Sequence, residues 1–178
     1  GKVACGWYDG SMYGDIIIWK NGERVDTGNY SGQGVVVSAN GKYVGGGCGK
    51  GMVRPSNKPF IWSEEEGLTI IQDGPEGIYY GFVQGISNDG KTAVGYVGLD
   101  SDMTVGRHPF IIKDGVYHDF DTWMKDNYGL SGPYGSSFWA ISAMSADGNV
   151  ICGIGYYDGA RAPWVVVLDE AQIGVGIN

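Results

Sequence analysis

Apolar residues in this chain come in short runs, closed by pairs in which glycine follows Asn, Asp or Glu. Runs of that length between turn residues predict β-strands rather than helices. One phrase recurs, as SANGKYVGGG from Ser38, SNDGKTAVGY from Ser87 and SADGNVICGI from Ser145. The opening GKVACGW reads as a further copy that begins at its turn. Aligned on the turn glycines Gly1, Gly41, Gly90 and Gly148, a second glycine follows in each copy, at Gly6, Gly46, Gly95 and Gly153. Further on, each copy carries an apolar run with an aromatic: IIIWK from Ile16, PFIWS from Pro59, PFIIK from Pro109 and PWVVV from Pro163. A second turn closes that run in three copies, at Asn21-Gly22, Glu66-Gly67 and Asp114-Gly115.

Each part has a mechanical reading. Asn-Gly and Asp-Gly suit the positive φ angles of tight hairpin turns, so Ile86-Ser87 ends one strand and residues 92–97 open the next. The second glycine removes a side chain inside that strand, where a neighbouring sheet must come close. Proline opens the third strand, where a missing donor costs least, and VYHDF from Val116 makes the fourth. The unit is a four-stranded antiparallel meander, and units near 1–33, 34–81, 82–137 and 138–178 make one domain. One such sheet cannot bury both of its faces, whereas sheets stacked about an axis do so. The expected fold is all-β: a β-propeller-like array of about four blades, either a complete ring or part of a larger propeller. In a complete ring the tail IGVGIN pairs back onto the first unit. Trp19, Phe60, Trp62, Phe110 and Trp164 then form the core between blades. One segment departs from the repeat. DFDTWMKDNYGL predicts a short helix over 121–128, with Asp121 as N-cap, Trp123 and Met124 on its apolar side and Gly129 as its stop. It covers one end of the sheets, as a plug or as a lid.

At HPF, His108–Phe110, after the S-x-D-G-x-x-x-x-G strand pair, the units resemble HAF repeats. These are bacterial extracellular repeats named for a His-Ala-Phe tripeptide. The stretch DTWMKDNYGL…AISAMSADGNVICGIGYYDGARAPWVVVL resembles the helix-then-last-repeat ending of such proteins. The chain departs from the pattern in three ways: one copy alone has the histidine, proline stands for alanine, and tryptophan replaces phenylalanine in the last copy. The resemblance implies a propeller-like repeat domain, exported to the bacterial surface or the periplasm. It brings no catalytic residues with it.

Composition narrows the partners. The 33 glycines suit tight turns and closely packed strands, and 43% hydrophobic residues fit a globular domain. Twenty acidic against twelve basic residues leave a net charge of −8, which repels phosphate backbones, so nucleic acid is not an expected partner. No apolar stretch reaches the length of a membrane span. Three cysteines cannot all pair, and Cys5 and Cys152 hold equivalent places in an array, too far apart to bond. They read as small buried hydrophobes. The expected state is a monomer or part of a longer chain.

Catalytic motifs are absent: the chain has no serine nucleophile elbow, HExxH, Walker loop or paired CxxC. His108 and His118 read as core or rim histidines, and GGGCGKG at 45–51 lacks P-loop spacing. Connections between second and third strands carry the candidates instead. Tyr8, Tyr13, Tyr156 and Tyr157, with Asp158 and Arg161, offer flat rings and hydrogen-bonding groups suited to sugars or protein side chains. Tyr79, Tyr80 and Tyr134 fall in connections between units. Asp100 and Asp102 alternate in a loop as calcium ligands do, without a full ligand pattern; no other cofactor is expected. The expected function is a non-catalytic extracellular or cell-surface binding or scaffold domain that recognises protein or glycan. Two alternatives stand beside it: a carbohydrate-active hydrolase or lyase using Asp9, Asp100 and Asp158 from separate loops, and a structural spacer.

Overall fold

Turns and apolar runs alternate along the chain as strands and hairpins. The computed structural model describes residues 2–8, 14–28, 30–50, 57–99, 106–132, 137–168 and 172–175, with the backbone alone at Tyr8, Lys50, Tyr157 and 172–175. The first unit comprises β1 (Val3–Tyr8), β2 (Asp15–Lys20) and β3 (Glu23–Val25). The second comprises β4 (Tyr30–Val37), β5 (Tyr43–Lys50), β6 (Lys58–Ser63) and β7 (Gly67–Ile70). The third comprises β8 (Tyr80–Ile86), β9 (Thr92–Gly98), β10 (Arg107–Lys113) and β11 (Val116–Asp119). The fourth comprises β12 (Ala140–Met144), β13 (Val150–Tyr157), β14 (Ala160–Val167) and β15 (Gln172–Val175). Units three and four are separate four-stranded antiparallel sheets. The first two join in one seven-stranded sheet through a single pairing of Asp15 in β2 with Ser31 in β4. Of the tail, residues 176–178 lie outside the described residues. Residues 172–175 pair with β14, Trp164 opposite Val175, because that apolar strand otherwise leaves a ladder edge unmet.

The recurring phrase is a turn held by its own side chains. Ser87 Oγ donates to Asp89 Oδ1 at 2.6 Å and accepts from Thr92 N at 3.0 Å, while Lys91 N donates to the same carboxylate at 3.0 Å. Ser38 with Asn40, and Ser145 with Asp147, repeat these three bonds. Only the glycine takes a positive φ here: 73° at Gly41 and Gly90, 81° at Gly148. At Asn21-Gly22, Asp114-Gly115 and Asp158-Gly159 both residues do, as a two-residue hairpin requires. The turns are also tied to one another. Asn40 N donates to Asn88 Oδ1 (2.8 Å), Asn40 Nδ2 to Asn88 O (2.7 Å), and Asn88 N to Ala146 O (2.8 Å).

Apolar clusters lie between consecutive units. Ile16 and Ile18 meet Val44, Phe60 and Trp62; Val83, Val97 and Phe110 meet Val36 and Ile61; Val94 and Ile111 meet Ile151, Trp164 and Val166. Alternate residues of β6 and β10 therefore face opposite neighbours, and each large side chain so buried contributes about 1.5–3 kcal/mol. Phe60, Trp62, Phe110 and Trp164 are 5% exposed or less, but Trp19, expected in the core, is 40% exposed. It alternates with Ile16 and Ile18, so it faces away from the second unit, where no sheet covers it among the described residues. Cys48 is buried, whereas Cys5 and Cys152, expected to be buried, are half-buried, and all three thiols are free. Both half-buried thiols sit in the terminal units, which have a neighbouring unit on one side alone among the described residues.

The second glycine answers to its own sheet rather than to a neighbouring one. A Cβ at Gly46, Gly95 or Gly153 would stand 1.9, 2.0 and 2.0 Å from the carbonyl oxygens of Gln33, Phe82 and Ala140, and beside the aromatic ring opposite. A β-bulge follows each of those carbonyls in β4, β8 and β12 and turns it toward the glycine.

Helix α1 (Phe120–Tyr128) ends at Gly129 as predicted, but its N-cap is Asp119, not Asp121. Asp119 Oδ1 accepts from Thr122 N at 2.9 Å and Thr122 Oγ1 at 2.8 Å. Asp121 lies in the first turn and accepts from Phe138 N at 3.0 Å, fastening the chain that leads into β12. Phe120 and Met124 are buried against Phe138 and Trp164, which makes the helix part of the core between units three and four.

Candidate ligand-binding site

The end of the sheets opposite the recurring turns carries a ladder of rings and guanidinium groups. Arg107, the first residue of β10, places its guanidinium carbon 4.5 Å from the centre of the Tyr96 ring and 4.6 Å from that of Trp139. Arg161 of β14 stands 4.5 Å from the same Trp139 ring, and Tyr156 meets that ring edge-on at 5.9 Å. Tyr80 and Phe82 continue the series behind Tyr96, at 6.3 and 6.0 Å. Local sequence explains the assembly. The Asp158-Gly159 hairpin sets Tyr156 opposite Arg161, and Trp139 immediately precedes β12. Stacking removes water from a guanidinium face and fixes its plane, while its N–H edge remains suited to a carboxylate. A cleft of about 450 Å³ adjoins the ladder at Tyr96, lined also by Gln33, Gln84 and Trp7, a residue 55% exposed. Rings, amides and guanidinium groups thus share one surface.

Of the residues singled out by sequence, Tyr156 and Arg161 lie in this ladder, as members of paired strands rather than of a loop. Asp158 is exposed and spent on turn geometry at φ 48°. Tyr157 closes β13 and Tyr8 closes β1; their side chains, like Asp9, Tyr13, Asp100, Asp102 and Tyr134, lie outside the described residues. Tyr79 is half-buried with its N–H on Gly98 O, and Tyr80 lies buried in β8. Among the described residues no three His, Cys, Asp or Glu side chains gather as metal ligands. Arg107, Trp139 and Tyr96 were not singled out. A signal existed: Arg107-His108-Pro109-Phe110 and Arg161-Ala162-Pro163-Trp164 place arginine at one repeat position in two units.

Perturbed groups elsewhere have structural causes. Burial pushes the Cys48 thiol up to about 12. It also raises the Asp121 carboxyl, against the lowering effect of the Phe138 amide. Asp89 and Asp147 are held below the usual carboxylate range, first by the Ser87 and Ser145 hydroxyls and then by the backbone amides of Lys91 and Asn149. His108 adjoins a cleft with Asp73, Tyr117 and Asp119, of which Asp119 is committed to capping α1.

No family model matches the chain, and no curated protein matches it. Among the described residues no helix is long and apolar enough to cross a membrane. Among solved structures the chain is similar to TolB from Acinetobacter baumannii, with a TM-score of 0.58 and 12% identity, over 98% of this chain and 40% of that one. The chain therefore spans less than half the length of that TolB chain. At such identity the likeness bears on fold alone, and the fold it shows is β-propeller-like.

Proposed function

We propose that this chain is a non-catalytic binding domain of an exported or cell-surface bacterial protein, with its units as blades of a propeller. Its ligand is a protein or glycan that presents a carboxylate to the ladder of Tyr96, Arg107, Trp139 and Arg161. The observation that carries this reading is the pair of arginines held on one tryptophan ring, 4.6 and 4.5 Å from its centre, in a chain with net charge −8. Two cations concentrated on an acidic protein select anionic groups locally, and the neighbouring rings supply apolar area. The resemblance to HAF repeats supports the assignment to the cell exterior.

A panel of uronate-containing and neutral glycans, together with acidic and neutral peptides, tests the reading. Wild type should retain acidic members in a salt-sensitive manner. Arg161→Ala should weaken binding by about 1.5–3 kcal/mol, the usual range for a charge-assisted hydrogen bond, and Trp139→Ala, which removes the ring that holds both guanidinium groups, by about 0.5–2 kcal/mol. Folded variants that bind as well as wild type would defeat the proposal, as would a panel with no retained member.

A further inference from the structure

The two arginines of the ladder hold one repeat position. Ile17, Phe60, Phe110 and Trp164 stand opposite the second glycines, and three places before them come Gly14, Asn57, Arg107 and Arg161. A cation therefore takes that place in units three and four alone. Trp139, just before β12, meets both guanidinium groups. Both guanidinium carbons lie within 4.6 Å of its ring centre, so the two charges stand no more than about 9 Å apart.

Covered rings decide the kind of partner. A glycan uses an aromatic site by laying a sugar ring on a bare aromatic face. Here Tyr96 carries Arg107, while Trp139 carries Arg107 and Arg161 and meets Tyr156 at its edge. Both rings are also half-buried. A guanidinium has five N–H donors, stacking uses none of them, and its flat fork matches a carboxylate. In an extended chain, alternate side chains point the same way about 6.6–6.8 Å apart, whereas adjacent ones point to opposite faces. Two acidic side chains at alternate positions can splay to meet both charges. Two adjacent ones cannot.

We infer that the partner at this ladder is a protein, and that it presents an extended acidic segment of the form Glu-x-Glu, one carboxylate on Arg107 and the other on Arg161. Trp139 is then the spacer that sets which separation of carboxylates is accepted. The inference deepens the carboxylate-binding reading given above and rests on it.

Titration of the whole chain with three nine-residue Ser/Thr/Gly peptides tests it, their cores being Glu-Thr-Glu, Glu-Glu and Glu-Thr-Gln, beside a hexamer of galacturonate. The Glu-Thr-Glu peptide is expected to bind at least about tenfold more tightly than either of the others. Arg161 is exposed, so Arg161→Gln should keep the native circular dichroism spectrum, and in it the Glu-Thr-Glu and Glu-Thr-Gln peptides should bind alike. Arg107→Gln should give the same cancellation. Equal binding of the Glu-Thr-Glu and Glu-Glu peptides, or a gain from the second Glu that persists in both variants, overturns the inference. So does a chain that retains the galacturonate hexamer and none of the peptides, although the carboxylate reading then stands. If neither an acidic peptide nor the hexamer binds, both fall.

Discussion

The same dipeptide does two jobs in this chain, and the side chain beside it decides which. Asp114-Gly115 bends both residues into positive φ, whereas Asp89-Gly90 bends only the glycine and uses the carboxylate as an acceptor for Ser87 and Lys91. The serine two places earlier is the legible difference. Because Asp89 and Asp147 have folded pKa values below the unfolded one, their stabilisation is complete above about pH 3.9 and is lost as pH falls through the lower folded values. Asn40 makes the same bonds without titrating, so the double substitution Asp89→Asn, Asp147→Asn should fold and should flatten the acid limb of a stability-versus-pH curve. An unchanged acid limb in chemical denaturation would count against it. The interior glycines make a paired case. Gly95→Ala would press a methyl group onto the Phe82 carbonyl and should cost about 1–3 kcal/mol. Gly6→Ala, with nothing near, should be neutral or gain about 0.4–1 kcal/mol from reduced freedom of the unfolded chain. Thermal melts of the two variants, run together, check the contrast.

At the scale of elements, strands and hairpins were legible because turn pairs bracket short apolar runs, and the helix because capping residues bracket it. Its exact start was not. Asp119 and Asp121 both suit an N-cap; the outcome turns on Thr122, which donates twice to Asp119, and on Phe138, whose amide claims Asp121. Trp19 was misplaced because the repeat gives its register and not its neighbour: the same position in the second unit, Trp62, has a sheet to pack against. The site was half legible. Tyr156 and Arg161 stood out by residue type, while Arg107 and Trp139 are joined to them only by the packing of β10 beside the start of β12. Between elements, Asn88 fastens three turns in succession, and in Asn88→Ala the acceptor for the Asn40 amide is gone. The loss should be about 0.5–1.5 kcal/mol, read as a lower denaturation midpoint with unchanged slope.

Across the whole molecule, the two ends of the sheets are under different rules. The end with the recurring turns is laced from unit to unit. At the other end the link between second and third strands runs from residues 99–106 in the third unit to the bare Asp158-Gly159 pair in the fourth, while the sheets beneath keep one register, Gly95 opposite Phe110 and Gly153 opposite Trp164. The lattice is thus indifferent to what is threaded through that position. A foreign loop of about eight residues spliced between Asp158 and Gly159 should leave the melting temperature within a few degrees of the parent, since lengthening a surface loop costs little. A melting temperature lowered well beyond that would show the pair to be a structural pin. If the graft is tolerated, this protein is a ready-made display frame, with a fastened base and an upper side open to exchange.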